Sequence, residues 1–123
     1  MNHPLNNKVV LITGSSMGIG FSTAKLCLSL GAKVMLHGRH EGHVNDAKAR
    51  LNAPDEQLGS CIADFTLKSP SAPQILVSET LKKFGRVDCL INNAGIYPRN
   101  TIDDLDDELF WKVMKVNLKP LCF

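Results

Sequence analysis

The sequence predicts an α/β fold: a doubly wound parallel sheet of about four strands, order 3-2-1-4, with helices on both faces. Three observations carry this. Short β-branched runs alternate with helical spacings in βαβα order, which calls for parallel strands joined by right-handed crossovers. A glycine-rich loop separates the first run from the first helix. Residues 1–123 have the length of one domain and contain no repeat, low-complexity tract or linker.

The elements follow in order. Lys8–Thr13 (KVVLIT) is a β-branched run ending at glycines, and Gly18–Leu30 sets Ile19, Leu26, Cys27 and Leu30 at helical spacing before Gly31. Lys33–His37 (KVMLH) reads as the second strand, Gly42–Asn52 as a polar-faced helix and Ser60–Ala63 as a short third strand. Ser69–Phe84 is helical, with Val77, Leu81 and Phe84 on one face and Gly85 beyond its end. Val87–Ile91 (VDCLI) is the fourth strand, followed by a loop, Asn92–Thr101. A last helix starts near Asp103–Asp107, whose carboxylates suit the positive end of a helix dipole, and runs to Phe123.

Composition narrows the function. A net charge of +2 without a Lys/Arg block gives no footprint for nucleic acid, and no apolar run is long enough for a membrane span. MNHPLNNKVVLITG lacks the basic-then-apolar pattern of a leader. Cys27, Cys61, Cys89 and Cys122 form no CxxC pair, and three lie in apolar, core-like stretches. They read as buried free thiols of a cytoplasmic protein. His37, His40 and His43 lack an accompanying carboxylate and thiol set at ligand spacing, so no metal site is expected.

The loop TGSSMGIG, Thr13 to Gly20, carries the chemistry. Gly14 permits the turn off the strand, Gly18 lets the backbone approach a phosphate, and Gly20 lets helix and strand pack closely. The free amides at the helix N-terminus then suit a pyrophosphate, with Ser15 and Ser16 as further hydroxyl donors. Dinucleotide folds that prefer NAD place an acidic residue about 20 residues beyond this loop. Here the segment is HGRH, with Gly38 and Arg39. A guanidinium there pairs with a 2′-phosphate, so the sequence favours NADP(H) over NAD(H).

Four features in order, TGSSMGIG, Ala63–Asp64, Asn92–Gly95 (NNAG) and Asn117 within VNL, resemble the short-chain dehydrogenase/reductase (SDR) family, covering about the first half of a typical member. The resemblance implies a Rossmann-like sheet. It implies that Gly14, Ser16, Gly18, Ile19 and Gly20 line the pyrophosphate and nearby ribose, and that Arg39, with His40 beside it, faces the 2′-phosphate. Asp64 would meet the adenine amino group, and Asn93, Ala94 and Gly95 the inner ribose. One departure is Met17, where many NADP-preferring members carry a second basic residue.

The family transfers hydride between nicotinamide and a carbonyl or alcohol carbon, using a serine and a Tyr-x-x-x-Lys pair. Tyr97 is the sole tyrosine, with Thr101 four residues on, and reads as a loop residue beside Pro98. Of the family's catalytic set only Asn117 is present, at an expected helix break that Pro120 would influence. The resemblance also implies a homo-oligomer packed through the last helix. Leu109, Phe110, Val113, Met114, Val116, Leu118 and Leu121 make that helix apolar on several sides, and the fourth strand would be an open edge. The chain is therefore expected to be the NADP(H)-binding portion of a longer oxidoreductase, inactive alone. The alternative is a non-catalytic dinucleotide-binding or interaction module.

Overall fold

Strands buried on both faces need unbroken apolar runs, and Val9–Ile12 (VVLI) and Val34–Leu36 (VML) supply them. The computed structural model describes residues 3–67 and 71–122. In it β1 (Val9–Ile12), β2 (Lys33–Gly38), β3 (Leu58–Ile62) and β4 (Cys89–Ile91) form one sheet in the order β3-β2-β1-β4. All pairings are parallel, with Val9 opposite Lys33, Val10 opposite Cys89 and Val34 opposite Leu58.

Alternation along the strands splits the core into two layers. Val10, Ile12, Val34, Leu36 and Leu58 meet Ala24 and Cys27 of α1 (Gly18–Ser29) and Ala47 of α2 (Glu41–Leu51). On the other face, Leu11, Met35 and Cys61 meet Ala72 and Leu76 of α3 (Ala72–Phe84). Helices on both faces of a parallel 3-2-1-4 sheet make the Rossmann-like arrangement expected from the sequence.

Some boundaries move. β3 begins two residues early, at Leu58, and runs through Gly59, where an added Cβ would stand 2.6 Å from Lys83 Cδ and 2.9 Å from Met35 Cε. α3 begins at Ala72, with proline in its first turn, and the predicted start at Ser69 lies outside the described residues. β4 is shortened because Asp88 clasps β1 with its side chain. Its carboxylate accepts from Val9 N–H at 2.8 Å while its own N–H donates to Val9 C=O at 2.9 Å. The Val9 N–H and then the Arg86 guanidinium hold the Asp88 carboxyl below the usual carboxylate range.

The last helix is not continuous. A 3₁₀ turn, Ile102–Asp104, precedes α4 (Asp107–Asn117), whose N-cap Asp106 accepts from Leu109 N–H at 2.7 Å. The helix breaks at Leu118 and resumes as the short α5 (Lys119–Cys122). Pro120 explains the break: it has no N–H to offer the Val116 carbonyl. No α4 residue is buried, and Phe110 and Trp111 are 44% and 58% exposed. Cys27 and Cys61 are buried free thiols, but Cys89 is exposed, correcting that part of the expectation. Among the described residues β4 pairs with β1 alone, so its side chains lack the second neighbour that covers β1 and β2. The Cys122 side chain lies outside the description. No helix among the described residues is long and apolar enough to cross a membrane.

Candidate functional site

The C-terminal ends of the strands open onto one groove of about 490 Å³, beside β1, where the strand order reverses. Ligands of open α/β sheets bind at such a switch point. Gly14, Ser16, Gly18 and Ile19 line it from the glycine loop, Arg39 and His40 from the end of β2, Asp64 from the end of β3, and Asn93, Ala94 and Gly95 from the end of β4.

Backbone geometry fixes the loop's composition at two places. Gly14 has φ +61°, and a Cβ there would stand 2.8 Å from Ala94 Cα; Gly18 has the same φ but faces open space. Gly20 lies off the groove wall and packs against the loop itself. A Cβ on it would reach 2.4 Å from Gly14 O and 2.6 Å from Asn93 Nδ2. No side chain caps α1, and no acidic residue occupies its first turn, so its leading amides are left for an anion. The donor set and the open space at Gly18 fit a pyrophosphate.

Ser15 is a correction. Its hydroxyl is buried, donates to Ile12 C=O at 2.8 Å and accepts from His37 N–H at 2.8 Å, which removes it from the groove. Ser16 keeps its place on the wall.

Residues that sequence reasoning passed over hold these loops together. Thr13 Oγ1 accepts from both Asn93 N–H and Ala94 N–H at 3.0 Å, and the Asn93 amide donates to Gly14 C=O at 2.9 Å. His37, 3% exposed, accepts from Gly14 N–H at 2.9 Å through Nδ1 and meets Ala63 C=O at 2.8 Å through Nε2. The only signal for His37 was a polar residue ending an apolar strand. Asp64 accepts from Thr66 Oγ1–H at 2.6 Å and Thr66 N–H at 2.8 Å. The Thr66 hydroxyl above all, then its N–H and the nearby Arg39 and His40, holds the Asp64 carboxyl below its usual range. The groove therefore carries an ionised carboxylate at one end and exposed Arg39 near it.

Asn117 does not line the groove but fixes Ile96, which does. Its Oδ1 accepts from Ile96 N–H and its Nδ2 donates to Ile96 C=O, both at 2.7 Å. Replacing Asn117 with Ala strands both backbone groups. The expected result is a loss of about 1–3 kcal/mol in urea unfolding, and an unchanged midpoint would refute the clamp. Tyr97 stands at the groove mouth, 85% exposed, and Thr101 caps the 3₁₀ turn, so these two make no Tyr-x-x-x-Lys pair. Among the described residues no cluster of His, Cys, Asp and Glu could hold a metal ion.

Sheet, switch point and uncapped glycine loop define a nucleotide-binding α/β protein of the dinucleotide type. Residues 8–123 match the family model for short chain dehydrogenase, and the chain belongs to that family. It is 37% identical over 117 residues to dehydrogenase/reductase SDR family member 7B of Rattus norvegicus, covering 92% of this chain and 36% of that protein. It is 32% identical to a 3alpha-hydroxysteroid dehydrogenase of Mediterraneibacter gnavus, covering 93% of this chain and 46% of the relative. Among solved structures, a short-chain dehydrogenase/reductase of Caenorhabditis elegans with cofactor matches at TM-score 0.85 and 32% identity, over 95% of this chain and 45% of that one. A 3-ketoacyl-(acyl-carrier-protein) reductase of Brucella melitensis, complexed with NADH, matches at TM-score 0.82 and 29% identity, over 94% and 46%. The chain thus spans less than half the length of each of these relatives.

Proposed function

We propose that this chain is the NADP(H)-binding portion of a short-chain dehydrogenase/reductase that in complete form moves hydride between nicotinamide and a carbonyl or alcohol carbon. The observation that carries the NADP preference is Arg39 on the groove wall at the end of β2, in a segment, HGRH, without a carboxylate. His40 and His43 line the same end. Gly14, Ser16, Gly18 and Ile19 would hold the pyrophosphate, Asp64 the adenine amino group, and Asn93 to Gly95 the inner ribose. Gly20 supports the loop from behind. When bound, the cofactor supplies or accepts the hydride. This chain's own part is to bind and orient it, because the serine and the Tyr-x-x-x-Lys pair that move the proton are not in the sequence. Free thiols at Cys27, Cys61 and Cys89 support a reducing, cytoplasmic compartment. Exposed Phe110 and Trp111 on α4 support a homo-oligomeric complete protein.

The test is calorimetric titration of the chain with ADP and with 2′,5′-ADP, the adenosine 2′-phosphate half of NADP, alongside a turnover assay with NADPH and simple carbonyl compounds. Tighter binding of 2′,5′-ADP by about tenfold, with no turnover, is expected. Equal affinities overturn the NADP preference. Turnover overturns the inactivity, and failure of both nucleotides leaves the interaction-module reading in its place.

A further inference from the structure

We propose that His37 is the positioning residue of the glycine loop, holding it in its anion-binding shape only while its imidazole is neutral. The inference deepens the nucleotide-binding reading above by naming what regulates that site. Geometry fixes the tautomer. Gly14 N–H can only donate, so Nδ1, 2.9 Å away, carries a lone pair; Ala63 C=O can only accept, so Nε2, 2.8 Å away, carries the hydrogen. The main chain of the same residue grips the next loop position: His37 N–H donates to Ser15 Oγ at 2.8 Å, and His37 C=O accepts from Ser15 N–H at 2.8 Å. One buried residue thereby ties Gly14 and Ser15 of the glycine loop to Ala63 at the end of β3, just before Asp64.

Protonation adds a hydrogen to Nδ1 and turns its acceptor into a donor facing the Gly14 N–H. That bond is lost, and a buried charge takes its place. The ring packs on Phe65, with centroids 4.9 Å apart, so water has little access to replace the missing acceptor. The surroundings pull both ways. Burial pushes the imidazole below its usual range, and the Ala63 carbonyl and then the Asp64 carboxylate push it back up. The other titratable groups sharing the groove are Arg39 and His40, which follow on from β2, His43 of α2, and Tyr97 beyond β4; Gly14, Ser15 and Ser16 of the glycine loop carry none. The folded-state value lies below the unfolded one, so the clamp is complete above about pH 6.5 and opens as pH falls through the lower, folded-state value.

The experiment follows the Gly14 amide and the imidazole nitrogens of the full chain by NMR from pH 8 to pH 4.5, without nucleotide. Gly14 and His37 resonances should move together in one transition below pH 6.5, with Nδ1 unprotonated above it. In His37→Asn, whose Oδ1 accepts like Nδ1 but does not titrate, the Gly14 shift should be flat over the same range. A Gly14 amide that ignores pH in the parent chain, or an Nδ1–H tautomer at pH 8, overturns the proposal. At pH 7.5, His37→Asn should bind 2′,5′-ADP within about threefold of the parent and His37→Ala about tenfold worse. Absent nucleotide binding by the parent chain, with the Gly14–His37 transition intact, sinks the nucleotide reading and leaves the clamp standing.

Discussion

Gly20→Ala is expected to lose about 3 kcal/mol of stability, at the upper end for overpacking, and to bind 2′,5′-ADP too weakly to measure. The added methyl would stand 2.4 Å from Gly14 O, 2.6 Å from Asn93 Nδ2 and 2.9 Å from Ser15 Cα. Two of these three are main-chain atoms of the anion-binding loop, and the third is the amide that holds Gly14 C=O. None can give way without moving the loop off its Thr13 and His37 supports. Two controls separate this clash from loss of glycine as such. Gly18→Ala meets nothing within 4 Å but keeps φ +61°, so it should cost only about 1 kcal/mol of backbone strain. Gly42→Ala, in open space on α2, should stabilise by about 0.5–1 kcal/mol. Urea unfolding of the three variants should rank Gly20 far below Gly18, with Gly42 above the parent; equal losses at Gly20 and Gly18 would remove the packing explanation.

The same contacts say what a sequence can and cannot disclose here. Strand order and the two-layer core were legible because Val9–Ile12 and Val34–Leu36 are apolar at every position and the helices close at Gly31 and Gly85. Gly14 and Gly18 were legible because backbone-level needs, a turn at one and an open approach at the other, admit almost no other residue, whereas Asp64 and Asn93–Gly95 were implied only by the family resemblance. Ser15 was misread since a hydroxyl in a phosphate loop has two plausible targets, and only the neighbouring strand decides between them. His37 was invisible as a clamp for the same reason: its partners, Gly14 and Ala63, lie 23 and 26 residues away along the chain. β4's late start depends on Asp88 using its carboxylate in place of a main-chain acceptor, a swap that β propensity does not encode. Polar contacts between distant segments are what propensity and periodicity leave out.

Arg39 gives the second large effect. An exposed guanidinium on the groove wall should form charge-assisted hydrogen bonds with a 2′-phosphate, although solvent screens them. Arg39→Ala is expected to weaken 2′,5′-ADP about tenfold while changing ADP by less than about threefold. Arg39→Asp should go further and reverse the preference, because a carboxylate there repels the 2′-phosphate and can accept from a free 2′-hydroxyl. The complementary change is Met17→Arg, on a residue that also lines the groove and is 57% exposed. It supplies a second cation and should raise the 2′,5′-ADP to ADP ratio by a few-fold, about 1 kcal/mol or less for an exposed charge. Calorimetric titration at two salt concentrations checks the set. The Arg39 effect should shrink as salt screens the phosphate, and the Gly20 effect should not, since steric overlap carries no charge. A salt-independent loss in Arg39→Ala would mean that the residue supports the loop by packing and leaves the cofactor preference without its main determinant.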